Sequence, residues 1–418
     1  MVCRWFLAGA LAAALAGAAW GAPTGQALTL RECLLSALEN HPQLRAARAR
    51  VEAQGQAVRV QEAPRKPSLE ASGSGRAAEG ARDASAELRL SQLVTDGGKT
   101  DLAVQAAELE REAVLQDLAA ARSDLVLEVQ QAFYALVKAE DDLEVARRNV
   151  AVQEEQLARA RAFFQAGKVP KSDVTAAEVD LGQARLEQTQ ASGTVEATRS
   201  LLYRTMGVSP RGQALSVTPP PWTDRKAPSV EAAQSGVAAR PDLKAQGLRV
   251  EEASRNVALA AKDLAWNVAA WGGYGWSDPG TGEWKSGLTL SLPLLDGGRT
   301  DAKVGQARAK LEEARATEED LRQKADLAVV EALTELRTAE ESLRTALLVD
   351  RQARENLDLA RGRYREGVGS PLEVSQAALN RTKAQRSLAK ARHDLRIAWA
   401  KLEHGMGTNL ADLEGEGR

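Results

Sequence analysis

Asp96-Gly97-Gly98-Lys99-Thr100-Asp101 returns as Asp296-Gly297-Gly298-Arg299-Thr300-Asp301, an offset of 200 residues. Reading outward, the same offset carries Leu90-Ser91 onto Leu290-Ser291, Val104 onto Val304, Leu157 onto Leu357, Gly167 onto Gly367, Val174 onto Val374 and Met206-Gly207 onto Met406-Gly407. Upstream, His41-Pro42-Gln43-Leu44 matches Arg240-Pro241-Asp242-Leu243 at an offset of 199. Solenoid repeats run to about 50 residues, so this period denotes a duplicated domain instead. The copies occupy residues 22–208 and 229–407. Between them, residues 209–228 hold Pro210, Pro219, Pro220, Pro221 and Pro228, a linker that cannot be helical throughout.

Downstream of the first motif, Leu125, Val129, Ala132, Leu136, Ala139, Leu143, Ala146, Val150, Gln153, Leu157, Ala160 and Phe164 alternate spacings of four and three. That is a heptad seam, and it predicts a helix that joins a left-handed coiled coil. The second copy runs through Ala325, Ala328, Ala332, Leu336, Ala339, Leu343, Ala346, Ala353, Leu357 and Ala360. No proline interrupts Gly98 to Val169 or Gly298 to Ser370. At about 1.5 Å per residue each helix reaches roughly 100 Å, far beyond the need of a compact domain. Glycine-marked turns, Gly167-Lys168-Val169-Pro170-Lys171-Ser172 and Gly367-Val368-Gly369-Ser370-Pro371-Leu372, then start returning helices near 173–205 and 373–403.

Upstream of the motif the period changes to two. Trp266, Val268, Ala270, Gly272, Tyr274 and Trp276 alternate with Asn267, Ala269, Trp271, Gly273 and Gly275. After a turn at 278–282, Trp284, Leu288, Leu290, Leu292 and Leu294 alternate with Lys285, Gly287, Thr289 and Ser291. In the first copy Ala84, Ala86, Leu88 and Leu90 alternate with Ser85, Glu87, Arg89 and Ser91, after a weaker Gly- and Ser-rich strand near 69–76. Each repeat therefore contributes a hairpin, four strands in all. Such alternation suits a soluble sheet with core and solvent faces, or a membrane barrel with lipid and lumen faces. Four tryptophans gathered on one hairpin beside a surface turn favour lipid. Four strands are too few to close a barrel, and open edges are not tolerated in hydrocarbon, so a membrane reading requires several chains to share one barrel.

Composition narrows the function. Lys+Arg 55 against Asp+Glu 57 leaves a net charge of −2, which gives no broad electrostatic case for nucleic acid. Much of the 44% hydrophobic content is alanine and only 4% of residues are aromatic, a composition for closely packed helices. Residues 1–21 carry Arg4, an apolar run from Phe6 to Ala19, and small residues at Ala19 and Gly21, as an export signal does. No later segment is apolar over the ~18 residues that a transmembrane helix needs. Cys33 stands without a partner in the exported chain, and His41, His393 and His404 lack ligand spacing and are expected at the surface or at helix caps. No nucleophile elbow, zinc-protease helix or phosphate loop occurs. Gly73-Ser74-Gly75-Arg76-Ala77-Ala78 imitates a dinucleotide fingerprint but lies in a strand, not after one. No catalytic residue, cofactor or metal is expected.

The duplicated strand–strand–long-helix layout, Leu292-Pro293-Leu294-Leu295-Asp296-Gly297-Gly298-Arg299, and Tyr364-Arg365-Glu366-Gly367 through Pro371-Leu372-Glu373-Val374 resemble the TolC-type outer membrane efflux proteins. The resemblance extends over about residues 28–407, with 408–418 as a tail. It implies a mainly α protein with a membrane β-barrel: a homotrimer whose twelve-stranded barrel sits in the outer membrane of a Gram-negative cell and continues as an α-helical barrel across the periplasm. It further implies an exit duct for efflux or type I secretion, reached through a periplasmic adaptor from an inner-membrane transporter. On that reading Glu87, Arg89, Lys285, Thr289 and Ser291 face the lumen. Trp266, Tyr274, Trp276 and Trp284 face lipid as a girdle. The tips Gly167, Lys168, Val169, Pro170 and Ser172, with Gly367, Val368, Gly369 and Ser370, dock the adaptor. Asp173 and Glu373 are the candidates for an acidic constriction, although acids in a first helical turn also simply complement the helix dipole. The rival classes are an exported periplasmic adaptor and a coiled-coil scaffold.

Overall fold

A computed structural model describes residues 27–78, 81–209, 216–221, 225–277, 280, 282–366 and 368–409. The expected export signal, Gly367 and the tail beyond Asn409 lie outside the described residues, as do parts of the linker and of the turn after Ser277. The first repeat comprises β1 (Leu28–Thr29), α1 (Leu30–Asn40), α2 (Pro42–Glu62), β2 (Ser68–Ala78), β3 (Ala81–Thr95), α3 (Lys99–Gln165) and α4 (Lys171–Thr205). After β4 (Val217–Thr218) the second comprises α5 (Val230–Val237), α6 (Pro241–Ala261), β5 (Asn267–Ser277), β6 (Glu283–Ser291), α7 (Arg299–Arg365) and α8 (Pro371–Gly405). Counterpart long helices agree residue for residue: 67 in α3 and α7, 35 in α4 and α8.

The heptad seams are the packed stripes. Leu125, Val129, Ala132, Leu136, Ala139, Ala146 and Leu157 are buried on α3, and Ala325, Ala332, Leu336, Ala339, Ala346 and Ala360 on α7. Cutting Leu136 or Leu336 back to alanine would cost about 2–5 kcal/mol, because each side chain is wholly enclosed. Helix α3 also buries Phe133, Tyr134, Val126 and Val137, which the seam does not include, because α1, α2, α4, α6 and α8 all pack on it. Among the described residues helix α7 packs mainly against α5, α6 and α8, and it leaves Leu327, Leu347, Leu348 and Leu359 exposed.

Two recurring motifs meet within each repeat. Gly207 has φ +68°, and an added Cβ would lie 2.8 Å from His41 Cα; Gly407 has φ +70° and sits 3.2 Å from Arg240 Cα in the same sense. The Met-Gly that ends each returning helix is thus seated on the residue before the proline that starts α2 or α6, where only glycine fits. Inside the proline-rich linker, β4 pairs in parallel with β1, an element that periodicity could not reveal in two residues.

The hairpins join into one antiparallel sheet in the order β2-β3-β5-β6. The two repeats meet at the β3–β5 seam, where Leu88 faces Tyr274 and Arg89 faces Gly273, with a bulge at Val94. Strand β6 ends at Ser291, which corrects the expected run to Leu294. Pro293 has no N–H for a ladder, and among the described residues β6 has no partner on its outer side. No described helix is long and apolar enough to cross a membrane.

Candidate functional site

The junction between sheet and helices is built by the repeated motif. The Asp96 carboxylate accepts hydrogen bonds from the Gly98 N–H at 3.1 Å and the Thr100 N–H at 2.8 Å, which satisfies two donors at the start of α3. Asp296 does the same for Gly298 at 3.0 Å and Thr300 at 2.8 Å. Both glycines of each pair have positive φ, so the chain turns from strand to helix within two residues. Burial opposes ionisation of Asp96, but a hydrogen bond from the Thr100 hydroxyl, together with these two N–H bonds, outweighs it and holds the carboxyl below its usual range.

Beside this junction stands Asp263, which periodicity did not single out. It lies on the 3-10 turn Lys262–Leu264 that follows α6, and only 9% of its side chain is exposed. One oxygen accepts from Lys99 at the start of α3 and the other from Lys303 at the start of α7. Hydrogen bonds from Lys303 and then Lys99 depress its pKa to about 2. A single carboxylate therefore clasps the roots of both long helices directly beneath the sheet.

The sheet has two chemically opposite faces. On one, Glu87, Arg89, Lys285, Thr289 and Ser291 lie together with Glu70 and Trp271. Arg89 Nε donates to Glu87 at 3.1 Å, and its guanidinium lies 4.9 Å from the Trp271 ring centroid. Lys285 Nζ is 3.4 Å from Glu283. The Trp271 ring lies across Gly287, where a Cβ would approach it to 3.2 Å. On the other face stand Leu69, Leu88, Leu90, Tyr274, Trp276, Trp284, Leu288 and Leu290, all exposed. Tyr274 and Trp284 pack at 5.2 Å between centroids, and Trp266 is exposed just before β5. The residues expected in the lumen and those expected toward lipid thus fall on opposite faces, and an exposed apolar face of this size calls for a nonaqueous or protein neighbour.

At the far end the two hairpin tips meet. Phe163 and Tyr364 pack edge to face at 6.2 Å, and Lys168 Nζ lies 6.0 Å from the Phe163 centroid. Lys168 N–H donates to the Phe163 carbonyl and Val368 N–H to the Arg363 carbonyl, so both tips close with the same capped turn. Gly167 has φ +69°, and Gly369 would bring a Cβ within 3.0 Å of the Tyr364 nitrogen. The glycines are required by the turn itself. Val368 and Leu372 are the large apolar side chains that the second tip presents. Ser370 caps α8 through the Glu373 N–H at 3.2 Å, and the Glu373 carboxylate stands 3.9 Å from Arg363. Asp173, in the first turn of α4 beside Ser172 and Pro170, is near enough to Tyr364 to add to the burial that raises the phenol pKa, against the opposing charge of Arg159.

Cross-links tie the two coils along their length. Ser375 donates to Asp180 at 2.9 Å, Arg386 to Glu187 at 2.8 Å, and His404 lies 2.8 Å from Asp124. His393 corrects the expectation for the histidines: it is 3% exposed and pairs with Asp141 at 2.9 Å, joining α8 to α3, whereas His41 does stand at the α1–α2 cap. Cys33 is fully buried, and burial pushes its thiol up to about 12, leaving it an inert core residue.

A protein-family model described as "Outer membrane efflux protein" matches residues 34–208 and 233–408, one match per repeat. The outer membrane efflux protein BepC of Brucella suis is 25% identical over 94% of this chain and 89% of its own length. Outer membrane protein OprJ of Pseudomonas aeruginosa is 28% identical over 83% of this chain and 77% of its own. Among solved structures, the CmeC outer membrane channel of Campylobacter jejuni superposes with a TM-score of 0.80 at 17% identity, covering 95% of this chain and 93% of that one.

Proposed function

We propose that this chain, which belongs to the outer membrane efflux protein family, works as one third of a trimeric duct. The protein is an outer membrane exit duct for efflux or type I secretion, with a helical domain in the periplasm. Three copies of the four-stranded sheet close a twelve-stranded barrel, and three sets of α3, α4, α7 and α8 continue it toward the inner membrane. The observation that carries this reading is the sheet: one face polar, the other exposed and apolar, and both edges unpaired among the described residues. An isolated copy would offer hydrocarbon two rows of unsatisfied backbone groups, and closure removes both. The bare apolar positions of α7 support the same arrangement, because the duplication places α2 of the next copy where α6 lies against α3.

The domains divide accordingly, residues 22–208 and 229–407 as the two repeats with 209–228 between them. In the assembled duct Glu87, Arg89, Lys285, Thr289 and Ser291 line water, while Trp266, Tyr274, Trp276 and Trp284 lie at the lipid boundary. The tips receive a periplasmic adaptor that joins the duct to an inner-membrane transporter, with Val368 and Leu372 as the apolar contacts. Asp173 and Glu373 set three acidic pairs around the entrance, which favours cations there. The duct performs no catalysis; transport through it is passive. A free scaffold or adaptor would leave the apolar sheet face unexplained.

The test is single-channel conductance of detergent-purified protein in a planar bilayer, with its mass measured alongside. A trimer with steady, cation-preferring conductance is expected. A water-soluble monomer without conductance would overturn the reading.

A further inference from the structure

We infer that the seam between neighbouring copies is a replica of the β3–β5 seam within one copy, and that this sets its register: Thr289 of β6 faces Ser74 on β2 of the partner subunit, Ser291 faces the partner's Ser72, and Gly287 faces the partner's Arg76. The inference rests on the trimeric assembly proposed above and specifies how its copies join.

The argument is that the duplication extends to hydrogen-bond register. Ser68 pairs with Ser91 in the first hairpin, and their counterparts Asn267 and Ser291 pair in the second; Gly75 with Ala84 likewise matches Tyr274 with Trp284. Counterparts on β2 and β5 differ by 199 and those on β3 and β6 by 200, and both hairpins obey these offsets along their common length. Within the described four-stranded sheet the two repeats pair only at β3–β5, where Arg89 faces Gly273, Ser91 faces Trp271 and Glu87 faces Gly275. Moving each partner to its counterpart yields the pairs stated.

Three features of the chain agree with this transfer. The polar faces coincide, since Thr289 and Ser291 meet Ser74 and Ser72 while Leu288 and Leu290 meet Gly75 and Gly73. A slip by one residue would set the leucine face against the serine face, so only slips by two compete. Strand β3 continues to Thr95 because β5 is there to pair with it, whereas β6 stops at Ser291 and leaves Leu294 and Leu295 87% and 92% exposed. Those leucines occupy the positions of Val94 and Thr95, so in the assembled seam Leu295 faces the partner's Leu69 and Leu294 takes the bulge. Finally, Gly287, whose missing side chain admits the Trp271 ring, stands opposite the partner's Arg76. The indole then bridges from Arg89 of its own chain to a guanidinium across the seam.

The register also sets the width of the barrel. A level path from Ser72 through Glu87 reaches Gly275, the counterpart of Arg76, an advance of four residues per repeat. Six such steps stagger the ring by about 24 residues; with strands about 4.8 Å apart and about 3.3 Å per residue, the barrel measures roughly 30 Å across its backbone.

The experiment is thiol cross-linking of the full-length protein in outer membranes, in a Cys33→Ala background. Three double variants are compared: Ser74→Cys with Thr289→Cys for the inferred register, and Ser72→Cys with Thr289→Cys or Ser74→Cys with Ser291→Cys for the two-residue slips. Directly opposed Cβ atoms lie about 4.5–5.5 Å apart and diagonal neighbours farther, so the first pair should form disulfide-linked chains at least about five-fold faster than either other. Faster linkage by a slipped pair, in protein whose detergent mass is that of a trimer, would overturn the register while leaving the trimer standing. A trimer in which no pair links would show that β6 and β2 do not meet. A single-chain mass would overturn both this inference and the assembly beneath it.

Discussion

Asp263 provides the sharpest perturbation of the sheet–helix junction. Replacing it by asparagine keeps its shape and removes the charge that holds Lys99 and Lys303 together. The two lysines depress its pKa from 3.8 to about 2. Taken at about 1.4 kcal/mol per unit and discounted because both lysines are half exposed, the ionised form contributes about 1–2 kcal/mol. The pKa is lowered in the folded protein, so the contribution is complete above about pH 4 and is lost as the pH falls toward 2. The readout is amide hydrogen exchange at residues 96–104 and 296–304, the starts of α3 and α7. In Asp263→Asn these amides should exchange about 5–30 times faster than in the parent at neutral pH. The difference should hold to about pH 4 and close below it. Equal protection at neutral pH, or a difference that persists at pH 2, would refute the clasp.

Gly97→Ala and Gly297→Ala both force a left-handed residue, a cost of about 1–2 kcal/mol. Only the first also drives a Cβ to 2.8 Å from that of Ala265, so thermal dissociation in detergent should fall further for Gly97→Ala; equal shifts would remove that contact. Leu290→Arg should cost about 2–4 kcal/mol and lower barrel yield if it lies near mid-bilayer, while Thr289→Arg on the opposite face should insert normally; the reverse order would invert the face assignment. Neutralising the entrance with Asp173→Asn and Glu373→Gln should lower the cation-to-anion permeability ratio of the channel, and an unchanged reversal potential would exclude the acidic ring. Val368→Glu with Leu372→Glu should abolish export while trimer mass and membrane insertion persist; full export would dissociate the second tip from adaptor docking.

Local periods made much of this molecule legible. The 3.5-residue seam of α3 and α7 and the two-residue alternation of the hairpins are properties of neighbouring residues, and they correctly placed Leu136 and Leu336 inside and set Arg89 and Leu90 on opposite faces. The recurrence of Asp-Gly-Gly established the duplication without disclosing that the aspartate caps the following helix. Contacts between distant segments were illegible. Asp263 reaches Lys99 across 164 positions, and His393 reaches Asp141 across 252, with no periodic mark on any of the four. Trp271 could be assigned to the polar face, but its stacking on Arg89 and its seat on Gly287 depend on strand order. The sequence by itself determined which side of each helix and strand is apolar, because side-chain direction follows from backbone period alone. Only the tertiary structure decided what each side meets: α3 is enclosed by five helices, whereas α7 keeps exposed leucines and β2 and β6 are the edge strands of the described sheet.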